Sequence, residues 1–342
     1  MSESEGRDLG GITGENTGAQ PRGIRLRLPA TSANLGPGFD AVGVALSIAL
    51  TIEAKVLQAV GGTIARGPEL TIAATGRDAE RCARTQNNLI FETYREVMQG
   101  AGHTLVPLNL CIDNEIPLGV GCGSSAAARL GGVMLANHFG GLGWSQNACI
   151  EEATRREGHP DNVSACALGH VTVSVVADGR VTSATCGEGL GWKLLLALPT
   201  VSLATEKARA MLPAEYNRAD AVANVQRAAL LVAAFALGRG DLLQVAMMDR
   251  MHQPFRMEAC PLLVRLLPLA GEVGVLGVAL SGAGPGVLLV VESEAEMAEI
   301  CARIRNAAGD PELEILESRI GAGASMELLY GEEANADDRC AI

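Results

Sequence analysis

The chain has 342 residues, 48% of them hydrophobic and 3% aromatic, and carries a net charge of -12 at pH 7. That length exceeds a usual single core and suggests two packed domains with aliphatic interiors. With 27 Lys and Arg against 39 Asp and Glu and no basic cluster, nucleic acid and anionic membrane are disfavoured as partners.

No run approaches the ~20 apolar residues that cross a bilayer. Residues 1–23 are polar and glycine-rich without a hydrophobic signal core, so a disordered tail on a cytoplasmic protein is expected there. The next stretch, IRLRL (24–28), alternates as a half-buried strand does, and SIALTIEAKV (47–56) reads the same way. Between them lies the turn-rich PATSANLGPGFD. A helix pattern over 85–102 ends at Gly100 and Gly102, LNLCID (108–113) resumes a strand, and Pro117 stops it. Apolar residues at helical spacing follow from 124 to 139. A second helix is expected between an N-cap at Ser145 and a C-cap at Gly158, and HPDN (159–162) reads as a capped turn after it. VTVSVVADGRVTSATC then forms a hairpin turning at Asp178-Gly179.

Around residue 186 a second pattern begins. KLLLALP is a strand, and helices capped by Asp220 and Asp241 follow. GVLGVAL and VLLVVES are strands joined by GAGPG, and the helix EAEMAEICARIRNAAG leads to a last strand, LEILESRI. Mixed elements with short connections imply an α+β protein of two sandwiches, with domains at 24–185 and 186–330 and an acidic tail at 331–342. The nine cysteines are scattered singly with no metal-ligand spacing and read as reduced, structural thiols.

PLGVGCGSSAAA (117–128) raises the question of what an acidic chain does with an uncharged glycine run. Placed between a strand and a helix, its backbone N–H groups converge on one point with the helix dipole behind them. That makes an anion site without basic side chains. A Walker A loop would need a Lys-Ser/Thr pair after its last glycine, and a dinucleotide fingerprint would need an acidic residue about 20 positions on; neither is present.

PATSANLGPGFDAVG, PLGVGCGSSAAA and LSGAGPG, in that order, resemble the three motifs of the GHMP kinases, over most of the chain from about residue 24 to 325. The resemblance implies a ribosomal-protein-like N-terminal α/β sandwich and a ferredoxin-like C-terminal domain. The first motif is nearest to that of the members acting on homoserine. The implied activity is therefore transfer of the ATP γ-phosphate to the hydroxyl of L-homoserine, with Mg2+ as cofactor.

Carried over position by position, the resemblance implies that Pro117, Gly119, Gly121, Gly123, Ser124 and Ser125 hold the nucleotide phosphates and that Asn88 lies near the adenine. Ser125 and Glu151 would share the magnesium, although Glu151 alone also reads as a solvated helix residue paired with Arg155. Asn34, Asp40 and His159 would line the amino-acid pocket, with Asp40 facing the ammonium, while Arg209 and Arg256 grip the carboxylate. Thr205 matches a threonine near the reacting groups. For the hydroxyl itself, Asn162 is the expected orienting residue and Asp161 the alternative as a base.

Two positions depart from the family pattern. Cys122 replaces a leucine and could make the protein sensitive to thiol reagents, and Gly286 replaces a threonine and could loosen the third loop. Kinases of mevalonate, shikimate or pantoate share the ATP and magnesium apparatus but need no ammonium partner. A non-catalytic sensor on the same fold is a further alternative. Oligomeric state stays open, a homodimer being one option among relatives.

Overall fold

The alternating run from Ile24 to Leu28 becomes the first strand, with Arg25 and Arg27 exposed and the three apolar side chains fully buried. The computed structural model describes residues 22–57, 69–201, 203, 205–272 and 274–330. The tails expected at 1–23 and 331–342 lie outside these residues, except for Arg22, whose N–H donates to the Leu329 carbonyl, and Gly23, which belongs to the first strand.

In chain order the first half builds β1 (Gly23–Asn34), β2 (Gly38–Val56), β3 (Leu70–Gly76), α1 (Ala79–Cys82), α2 (Leu89–Gly100), β4 (Leu108–Asn114), α3 (Ser124–Gly140), α4 (Gln146–Glu157), α5 (Asp161–Leu168), β5 (Val171–Ala177) and β6 (Arg180–Cys186). The second half adds β7 (Lys193–Leu198), α6 (Thr205–Ala210), α7 (Arg218–Leu237), α8 (Leu243–Ala246), α9 (Gln253–Arg256), α10 (Pro261–Leu266), β8 (Val275–Leu280), β9 (Val287–Val291), α11 (Met297–Ala308), β10 (Glu314–Arg319) and β11 (Ser325–Leu329).

Seven strands form the first sheet, in the order β11-β1-β2-β4-β3 with β5 on β2 and β6 beyond it. Among the described strands of this sheet only the β3–β4 pair is parallel. The second sheet has four antiparallel strands in the order β10-β7-β9-β8, the ferredoxin-like arrangement. Its strands alternate between two cores. Leu194, Leu196, Leu288 and Val290 face the main core shared with the first sheet, whereas Leu195, Ala197, Leu289 and Val291 pack with Leu263, Leu266, Ile300 and Ile304 from α10 and α11. Burial on both faces explains why KLLLAL and VLLVV are unbroken apolar runs.

Several elements differ from the sequence expectation. HPDN does not close a loop: Asp161 and Asn162 open α5, whose residues are all buried except the last, so it carries no amphipathic signal. α7 is capped by Asn217, whose side chain accepts from the N–H of Asp220, not by Asp220 itself. The helix expected from Asp241 breaks into a 3₁₀ turn and the single turn α8. β11 lies within the range assigned to the second domain, yet it pairs antiparallel with β1 in the first sheet. Finally, α7 has the length and apolarity of a membrane span, at 20 residues and a mean hydropathy of 1.4. Its Phe235 packs on Trp192 at 5.3 Å, and its Asn224 donates to the Pro37 carbonyl at 2.9 Å, so it belongs to the packed fold.

Candidate active site

The three glycine motifs meet at the junction of the two sheets. Thr31 N–H donates to the Cys122 carbonyl at 3.1 Å, Ser281 Oγ donates to the Gly121 carbonyl at 2.7 Å, and Asn34 Nδ2 donates to the Gly282 carbonyl at 2.9 Å. These contacts need bare backbone. A Cβ on Gly121, at φ +86, would lie 2.0 Å from the Ser281 carbonyl oxygen. The same holds for Gly286, where a Cβ would lie 2.5 Å from the Val120 carbonyl that accepts from Gly286 N–H. Gly286 therefore lets the third loop dock on the glycine loop, which corrects the expectation of loosening. Cys122 is buried, and burial pushes its thiol up to about 12, which disfavours the thiolate that such reagents attack.

The cavity at this junction is lined by Asn34, Asp40, Gly119, Gly121, Gly123, Ser124, Ser125, His159, Asp161, Asn162, Arg209 and Arg256 from the sequence reading. Gly123, in the left-handed region at φ 68, is the N-cap of α3 and offers no side chain, so the first-turn N–H groups are uncapped beside the cavity.

Glu151 is not part of this group. It accepts from Asn147, Arg180 and the N–H of Val181, at the β6 side of α4. Nor does it pair with Arg155, which binds Glu152 at 2.8 Å. The α4 carboxylate that lines the cavity is Glu157, which accepts from Ser125 Oγ at 2.8 Å and Arg129 Nε at 2.7 Å. Helical phase separates the two: six residues at about 100° each turn Glu151 about 240° away from Glu157. Ser125 and Glu157 supply the hard oxygen donors that suit magnesium, at the uncapped end of α3.

Asn88 and Pro117 are the other residues the structure leaves off the cavity lining. Asn88 caps α2, its Oδ1 accepting from Phe91 N–H and its Nδ2 donating to the Cys82 and Arg84 carbonyls. Both of its amide N–H groups are thus committed to neighbouring carbonyls. Pro117 is buried ahead of the glycine loop. Thr205 begins α6, but its side chain lies outside the described residues.

On the other wall, Arg209 clasps Asp40 through two bonds of 2.6 and 3.1 Å. Arg256, 1% exposed, lies beyond. Both guanidinium carbons are 5.6 Å from the Phe39 ring centroid. Burial and the charge of Arg209 lower the Arg256 pKa. Arg209 shifts the other way: burial alone would lower it, but the hydrogen bond and charge of Asp40 prevail.

His159 Nδ1 lies 2.6 Å from Asp161 Oδ1, which also accepts from the N–H of Asn162 at 2.7 Å. Burial would lower the His159 pKa, but the hydrogen bond and charge of Asp161, with Glu157 behind, raise it. Asn162 is oriented from its other side by Thr31 Oγ1, which donates to Oδ1 at 2.7 Å. Asp40, His159 and Asp161 present ligand atoms within 4.8 Å of one another, an acceptor cluster beside the two arginines.

Sequence reasoning missed Glu157, Phe39 and Thr31. Phe39 and Thr31 lie inside the first motif, and Glu157 is two residues before HPDN, so proximity to a motif was the available signal.

A fold of two such domains, joined at three interlocked glycine loops, defines a class. The family models for the GHMP kinase N-terminal and C-terminal domains match residues 88–170 and 231–310, and the chain belongs to the GHMP kinases. Homoserine kinases are among its relatives. It is 45% identical over 270 residues to the homoserine kinase of Solibacter usitatus, covering 79% of this chain and 85% of the relative. To that of Synechocystis sp. it is 38% identical over 269 residues, covering 78% and 85%. The crystal structure of homoserine kinase from Cytophaga hutchinsonii superposes with a TM-score of 0.75 at 22% identity, covering 90% of this chain and 98% of that one.

Proposed function

We propose that this chain transfers the γ-phosphate of ATP to the side-chain hydroxyl of L-homoserine. The observation that carries the reading is the Asp40–Arg209 pair with Arg256 beside it, facing the uncapped end of α3 across one cavity. A zwitterion inserted there gives its ammonium to the Asp40, His159 and Asp161 cluster and its carboxylate to the two arginines. A carboxylate without an ammonium must compete with Asp40 for Arg209 and leaves Asp40 unpaired. Mevalonate, shikimate and pantoate are disfavoured on that ground.

The glycine-loop amides and the first turn of α3 would hold the phosphates, and Ser125 and Glu157 would hold magnesium, which when bound would neutralise charge on the phosphates. Asn162, fixed by Thr31 at Oδ1 and by Asp161 at Nδ2, has one amide N–H left to orient the hydroxyl. The hydroxyl oxygen attacks the γ-phosphorus, the bond to the β,γ-bridging oxygen breaks with its electron pair leaving on ADP, and the hydroxyl proton passes to the transferred phosphate. Asp161 Oδ1 is committed to His159 and Asn162, which supports a holding role over that of a base. Positioning and charge stabilisation suffice for a loose phosphoryl transition state.

ADP release with ATP and magnesium, compared across L-homoserine, D-homoserine, mevalonate, shikimate and pantoate, tests the reading. Turnover confined to L-homoserine is expected. Turnover of an acid lacking nitrogen would overturn the pocket assignment, and silence with every acceptor would leave a sensor as the better account.

A further inference from the structure

We propose that His252 is the positioning residue for Arg256, holding the guanidinium in the orientation in which it takes the substrate carboxylate; this rests on the homoserine reading above. Arg256 is an almost fully buried cation on the short helix α9, and it lines the substrate cavity. Such a side chain needs fixed acceptors behind it. Two exist. Arg256 Nε donates to the Ala208 carbonyl at 3.1 Å, and Nη1 lies 3.1 Å from His252 Nδ1.

The imidazole is itself over-determined. It is 0% exposed, stacked on Phe39 with centroids 5.2 Å apart and planes at 25°, and its Nε2 is 2.7 Å from the Gly36 carbonyl oxygen. These partners dictate the protonation. A carbonyl only accepts, so Nε2 carries the hydrogen; a guanidinium only donates, so Nδ1 must be bare. The ring is the neutral Nε2–H tautomer, joining the first motif's Gly36 turn to the arginine.

The charged groups around it fit that state. Asp249, 3.7 Å from Nε2, has both oxygens occupied by the N–H groups of Met251, His252 and Gln253. Arg256 on the same helix and Asp40 across the Gly36 turn are the other charges acting on the ring. Burial, and the nearby Arg256, keep the imidazole pKa below its ordinary value.

The test separates the acceptor from the bulk of the ring. His252→Gln can still donate to Gly36 but offers Arg256 no acceptor at the Nδ1 position, whereas His252→Asn places an amide oxygen near that position. Loss of one hydrogen bond to a charged group predicts a rise of about tenfold in the homoserine KM for His252→Gln, with the ATP KM unchanged and His252→Asn within about threefold of wild type. In an Arg256→Gln background, His252→Gln should add less than about twofold. Equal rises in both KM values, indistinguishable Gln and Asn variants, or a full tenfold effect without Arg256 would each overturn the assignment. Side-chain 15N correlation spectra of the wild-type protein decide the matter should the variants not fold. The Nε2–H tautomer supports it, and an Nδ1–H tautomer or an imidazolium at neutral pH overturns it. Failure of the wild type to turn over homoserine would instead count against the substrate reading, and the tautomer would still be read.

Discussion

Replacing Asp40 by Asn separates ammonium recognition from everything else in the cavity. In the free protein Asp40 is held by Arg209 at 2.6 Å, with the two side chains 34% and 38% exposed, so breaking that pair costs at most about 1 kcal/mol. In the complex the same carboxylate faces the substrate ammonium, a charged hydrogen bond contributing about 1.5–3 kcal/mol. The variant loses the second interaction but no longer has to give up the first. The difference, about 0.5–3 kcal/mol, corresponds to a loss of about 2- to 160-fold in kcat/KM for L-homoserine. ATP affinity should not move, because the glycine loop lies on the opposite wall. For 4-hydroxybutyrate, which lacks the nitrogen, the sign reverses: Arg209 is released, and the rate should hold or rise. Steady-state ADP release with both acceptors measures the ratio. A homoserine kcat/KM within twofold of wild type, or a matching loss in ATP affinity, would refute the argument.

Glu157→Gln should lower kcat about tenfold or more and raise the magnesium requirement, while Glu151→Gln, changed at the β6 side of α4, should behave as wild type in the same titration. The raised pKa of His159 stabilises the fold in full below its unfolded value near 6.5 and is lost as pH rises through the folded pKa; the melting temperature should therefore fall over that interval, and Asp161→Asn should flatten the slope. Cys122, with its thiol pushed up to about 12, should stay unmodified by aromatic disulfide reagents until the protein unfolds, as peptide mapping after labelling would show.

The parts of this protein that were legible in its sequence are those where local chemistry and tertiary role agree. Ser145 and Gly158 bracket α4 because a cap needs a hydroxyl at one end and a left-handed residue at the other, and both signals are local. The glycine loop was legible for the same reason. The misassigned carboxylate shows the limit. Glu151 and Glu157 sit on one helix, and which of them faces α3 is fixed by where that helix starts and by what packs on it. α5 was missed because burial all round erases periodicity, and α8 because one turn leaves too little pattern to read. The acceptors behind Arg256 come from α6 and from the residue that opens α9, and only packing brings them together.

The pairing of β11 with β1 has a consequence for how this chain is made. Gly23 and Leu329 are partners in register, so β1, made early, is covered along one side by a strand made far later. Until Ser325–Leu329 leave the ribosome, β1 presents a bare row of amides and carbonyls, and the phosphate-holding half cannot finish folding ahead of the other. Division of labour in the site is thus not division of the chain into separable parts: a fragment ending before residue 325 would contain all three glycine motifs and still expose a sticky edge.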